Sequence, residues 1–112
     1  MITLEEINVR TNAVILHDKG FTGRGVTVAL LDSGIDTTHS FFEGMNIESV
    51  DLTGEGLNDD YAHGTNVASI LASISPGIKI ISIKILDEKG LTTTEIMIKG
   101  IELAVEKGVD II

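Results

Sequence analysis

Two residues in this sequence stand where a proton could be passed between side chains. Asp32 ends the apolar run VTVALL and leads directly into Ser33-Gly34, and His63 opens the segment HGTNVASILASIS. A carboxylate delivered to the end of a buried strand costs several kcal/mol unless it is paired or hydrogen-bonded. Asp-Ser-Gly is also a common turn, in which the aspartate only caps backbone N–H groups. A histidine at a helix start feels the positive end of the helix dipole, which favours the neutral imidazole. A general base must be neutral to accept a proton, yet a lone histidine at a helix start can also be plain surface. Taken together, Asp32 and His63 form two parts of a triad. The carboxylate would accept the imidazole N–H, fix its tautomer and stabilise the imidazolium that forms. Pairing would also answer the cost of burying Asp32.

The other polar residues offer less. His17 and His39 lie outside any such arrangement, and Asp59-Asp60 could bind a cation but read first as a solvated acidic pair. Ser69, Ser73 and Ser75 sit on or at the end of a helix, and Ser33 lies within the Asp32 turn. None occupies a strained elbow beside a glycine, where an activated nucleophile is usually held. With no cysteine in the chain, thiolate catalysis, disulfides and cysteine-ligated zinc are excluded. The excess of 17 acidic over 8 basic residues, a net charge of −9, argues against nucleic acid as a partner. The most apolar run, IKIISIKIL, is interrupted by Lys79 and Lys84 and is too short to cross a membrane. No basic stretch followed by an apolar core opens the chain, so no signal peptide is expected; the location stays open between extracellular and cytoplasmic.

Several elements must position Asp32 and His63. The pattern predicts a helix over 5–17, then the glycine loop KGFTGRG. That loop precedes a strand instead of following one, which rules out a dinucleotide fingerprint. Residues 26–31 form a strand without polar alternation, as expected for burial on both faces of a parallel sheet. A short strand over 46–50 and an acidic loop come next. The small-residue helix 63–75 stops at Pro76-Gly77, and a second apolar strand covers 78–86. A helix over 92–107, with threonines at its start and Gly108 at its end, leads to a third strand at 109–112. The whole is an α/β protein with a mostly parallel sheet. A sheet stopping at VDII looks unfinished, and the chain is expected to be a fragment.

These residues resemble the subtilisin-like serine proteases from about Gly20 onward. TGRGVTVALLDSGIDTTHS is similar to the segment around that family's catalytic aspartate, and HGTNVASILAS to the segment around its histidine. The last third, from Ile80, is similar to the next strand, the substrate-binding edge and the helix after it. The resemblance implies a three-layer α/β/α sandwich, with residues 1–112 as the N-terminal portion of one catalytic domain. It implies serine endopeptidase chemistry with Asp32 and His63 as catalytic residues and a peptide or protein substrate bound in extended form. Gly90, Leu91 and Thr92 would pair with the substrate backbone, and Leu86, Thr94 and Met97 would lie near an apolar pocket. No metal or cofactor is implied, since only SISPG separates the His63 helix from the next strand, where the family often has a calcium loop. Asn66 replaces a histidine and Ser40 a proline common in the family, neither of which touches the base.

The family's serine nucleophile and oxyanion asparagine have no counterpart here. Losing the oxyanion donor alone costs about 3 kcal/mol of transition-state stabilisation, so the isolated chain is expected to be inactive. Two rival functions remain at this level. One is a naturally short, non-catalytic peptide-binding module built on the same fold. The other is a retroviral-type aspartic protease, in which Asp32 of two chains would meet.

Overall fold

The structure, a computed structural model, describes all 112 residues. Its centre is β3 (Lys79–Lys84), where Ile80, Ile81, Ser82, Ile83 and Lys84 are all buried. A run rich in β-branched isoleucine suits a strand covered on both sides. β1 (Thr27–Asp32) and β2 (Asn46–Asp51) flank it, both parallel to it and in the same register. Lys79 faces Thr27 and Asn46 at one end, and Lys84 faces Asp32 and Asp51 at the other. The carboxyl ends of the strands therefore present two aspartates on either side of a lysine.

Side chains alternate across a strand, so β3 divides its isoleucines between two faces. Ile78 and Ile80 join Val28, Ile35 and Phe42 under α3 (His63–Ile74). Ile81, Ile83 and Ile85 join Ala29 under α4 (Thr94–Glu106). Both helices turn small residues to the sheet: Gly64, Ala68 and Ala72 in α3, Gly100 and Ala104 in α4. A β-carbon at Gly100 would stand 2.8 Å from Ile85 Cγ2, so the helix backbone itself rests on the strand. Helix, sheet and helix make the three layers expected.

The N-terminal helix differs from its expected form. It is broken into α1 (Leu4–Arg10) and α2 (Ala13–Asp18). Thr3 and Glu6 form a reciprocal capping box that starts α1. The break comes where the Thr11 hydroxyl donates to the Ile7 carbonyl and Asn12 adopts a left-handed φ of 61°, a conformation asparagine tolerates. Both pieces lean on α3. Asn8 Nδ2 donates to Ser73 Oγ, and His17 Nε2 donates to the Ile74 carbonyl at 2.7 Å, satisfying a free group at the end of α3. His39 is likewise structural, its Nδ1 accepting the Phe41 N–H of a single 3-10 turn.

At the other end, Thr93 caps α4 by accepting the Ile96 N–H, so the helix begins at Thr94, two residues later than the predicted start. Gly108 leaves the helix with a φ of 69°. The strand expected at 109–112 is reduced to a single parallel bridge between Ile111 and Val28, beside β1. The Asp110 carboxylate takes the N–H of Thr27, and only Ile111 goes on to pair as a strand.

Candidate active site

Parity along β1 decides where Asp32 points. Val28 and Leu30 pack on the α3 side, and Asp32, two residues further, shares that side. The first turn of α3 lies over the carboxyl end of β1 because Gly64 lets it. A β-carbon at Gly64 would overlap the Gly34 carbonyl and stand 3.1 Å from Gly34 N and Ser33 Oγ. Backbone thus packs on backbone, and the Gly64 N–H donates to Ser33 Oγ at 2.9 Å.

That contact brings His63 onto Asp32. Imidazole Nδ1 lies 2.9 Å from both Asp32 oxygens. An ionised carboxylate only accepts, so Nδ1 carries the proton and Nε2 is left as the basic nitrogen. Asp32 is only 7% exposed, and its Oδ1 also accepts the Ser33 N–H at 2.7 Å, which compensates its burial. The His63 side chain is 58% exposed, and Nε2 makes no hydrogen bond within the chain. The arrangement is an imidazole held by a carboxylate on one side and open to solvent on the other.

Asp59 has a larger part than its acidic surroundings suggest. Its Oδ1 accepts Ser33 Oγ–H at 2.7 Å and the Ala62 N–H at 2.9 Å. Its Oδ2 accepts the Thr65 N–H at 2.8 Å and the Thr65 hydroxyl. Burial pushes the Asp59 pKa up, but the hydrogen bonds from Thr65, Ser33 and Ala62 outweigh it and hold the carboxyl below its ordinary value. One clue was legible in the sequence. Ala62, just before α3, has no side chain able to cap it, so the cap had to come from elsewhere. Ala62 also takes a left-handed φ of 70°, a conformation that costs a non-glycine residue about 1–2 kcal/mol.

Below this lies Lys84, only 2% exposed, whose Nζ reaches the carbonyls of Gly56 and Asn58 at 3.0 and 2.5 Å. Asp51 accepts the N–H groups of Thr53 and Gly56 in the same loop. Burial raises its pKa, while bonds from Thr53 and Gly56 and the charge of Lys84 bring it below the ordinary value.

The expected substrate edge is only partly free. Leu91 donates its N–H to Asp87 Oδ1, and its carbonyl accepts the Asp87 N–H, so both of its backbone groups are already bonded within the loop. The carbonyl of Gly90 and both backbone groups of Thr92 carry no hydrogen bond. That alternation is what an added strand uses. Tyr61 lies against the Cα of Gly90, its ring centre 6.4 Å from that of His63. Leu86 is half-buried and packs into the core under α4, whereas Thr94 and Met97, on the first turn of α4, are exposed. An aspartic protease would need a nearly all-β chain with two carboxylates in contact; this sheet is parallel and helix-covered, and Asp32 is paired with a histidine.

A family profile described as the subtilase family matches residues 23–112. The chain belongs to the subtilase family. It is 38% identical over 87 residues to the subtilase-type proteinase psp3 of Schizosaccharomyces pombe, covering 73% of this chain and 19% of that protein. It is 32% identical over 113 residues to subtilisin of Bacillus pumilus, covering 89% of this chain and 40% of that one. Among solved structures, a lanthipeptide protease superposes with a TM-score of 0.79 at 27% identity, over 94% of this chain and 32% of its own. The subtilase chain thus spans between about a fifth and two-fifths of the length of these curated relatives. No helix is long and apolar enough to cross a membrane.

Proposed function

We propose that this subtilase segment supplies the carboxylate and the base of a serine endopeptidase, Asp32 orienting and His63 transferring the proton. One observation carries the proposal: His63 is locked through Nδ1 onto a buried carboxylate while Nε2 faces solvent unpartnered. In such a site Nε2 takes the proton of a serine hydroxyl as the oxygen attacks the peptide carbonyl. The imidazolium is stabilised by Asp32, then gives the proton to the leaving amine. Water repeats the cycle on the acyl-enzyme. The serine and the oxyanion asparagine come, in this proposal, from outside the 112 residues, which alone are inactive. An extended peptide adds as a strand through the Gly90 carbonyl and the backbone of Thr92. Leu91, Thr94 and Met97 offer apolar surface beside that edge, and Leu86 backs it from the core.

The test is a serine-directed fluorophosphonate probe on the full-length gene product. Labelling that disappears in His63→Ala and Asp32→Ala is expected. Labelling that survives His63→Ala overturns the proposed role, and an intact gene that codes for no nucleophilic serine leaves a peptide-binding module in its place.

A further inference from the structure

Asp59 is the carboxylate that touches both sides of the Asp32–His63 pair. On one side it holds Ser33, whose own N–H donates to Asp32 and whose Oγ accepts the Gly64 N–H. On the other it holds Ala62 and Thr65, which bracket His63 in the chain. Four donors converge on its two oxygens, two on each. The direction of the Ser33 bond follows. Because its single hydroxyl hydrogen goes to Asp59, its lone pairs are free for Gly64. The loop that presents Asp59 is itself pinned from the central strand by Lys84, through Gly56 and Asn58.

We propose that Asp59 is a positioning residue for the Asp32–His63 pair, its four-donor carboxylate tying the strand-end turn to the start of α3. The inference rests on the functional reading above and concerns the same site. An ordinary helix cap satisfies backbone N–H groups and affects stability alone. Asp59 does more, because Ser33 carries its hold across to Asp32. Its charge state matters in detail. An asparagine in the same place has one accepting oxygen, and whichever way its amide is turned, its NH2 group faces a backbone N–H of Ala62 or of Thr65. Donor then meets donor beside His63, although shape and volume are unchanged.

The measurement is the downfield His63 Hδ1 proton in NMR spectra of the chain, which reports the Nδ1–H to Asp32 bond. The unsubstituted chain should show it. Asp59→Asn should abolish it or move it upfield while amides remote from the site keep their positions. Ser33→Ala, which leaves the bonds of Asp59 to α3 intact, should weaken it. In the full-length protein, fluorophosphonate labelling by Asp59→Asn should slow by about 10- to 100-fold, as expected for a reacting group displaced by up to 1 Å. If Asp59→Asn fails to fold, Ser33→Ala decides. A resonance unmoved in the folded variants overturns the role of Asp59 and leaves the pair standing. A resonance absent from the unsubstituted chain overturns the pair itself.

Discussion

Replacing Gly64 with alanine places one methyl group where α3 meets the Asp32 turn. Its φ is not in the left-handed region, so the effect is steric and not a matter of backbone strain. The added carbon overlaps the Gly34 carbonyl, and Gly34 N and Ser33 Oγ stand at 3.1 Å, closer than carbon normally approaches. None of these atoms is the flexible end of a long side chain, so α3 must retreat by about 1 Å to reach ordinary van der Waals separation. Overpacking of this kind costs about 1–3 kcal/mol. The retreat also stretches the Gly64 N–H to Ser33 Oγ bond, for about 1 kcal/mol more. A loss of roughly 2–4 kcal/mol lies within the 5–15 kcal/mol by which domains are usually stable, so the variant should still fold. Urea denaturation followed by far-ultraviolet circular dichroism reads the loss directly. The same movement carries His63 off Asp32, so the His63 Hδ1 resonance should disappear from the folded variant. In the full-length protein, labelling should fall about 100-fold. A Gly64→Ala chain with an unchanged urea midpoint and an unchanged resonance would refute the claim that this close approach builds the site.

Three further outcomes are expected. Asp32→Asn in the full-length protein keeps the shape of the site but favours the wrong imidazole tautomer. Hydrolysis should drop by about 10⁴, the loss known for triad carboxylates in serine proteases, and a drop below tenfold would exclude the orienting role. Asp51 and Asp59 both titrate below the ordinary value of 3.8 in the folded chain. The stability they contribute is therefore present above that value and lost as pH falls below it toward their folded values. The urea midpoint should decline on that acid side, and less steeply in Asp59→Asn; an unchanged slope contradicts the depressed carboxyl. Gly90→Ala strains a φ of 75° and drives a methyl into the Tyr61 ring. It should cost about 1–2 kcal/mol and alter the near-ultraviolet signal and fluorescence of Tyr61, the chain's single tyrosine in the absence of tryptophan.

The sequence by itself marked the class of fold through local patterns, and it pointed to Asp32 and His63 through the resemblance of the segments around them to the subtilisin-like proteases. An isoleucine-rich run broken only by Lys79, Ser82 and Lys84 suits a strand buried on both faces, and small residues four apart suit a close-packing helix face. Asp32 at a strand end and His63 at a helix start follow from the same patterns. The break at Asn12 was not legible, since apolar spacing continues through it and only the backbone turn interrupts it. Neither was the fate of Leu91, whose backbone is claimed by an aspartate four residues earlier in a closed loop. Asp59 shows the limit most clearly. In sequence it is one of two adjacent acids in a polar loop. Only the tertiary structure sets it against Ser33, 26 residues away, and against Ala62 and Thr65, and only there does its carboxylate meet four donors at once. Periodicity says which face of an element is buried. Which polar groups then meet at the end of the sheet depends on how separate elements pack, which no local pattern contains.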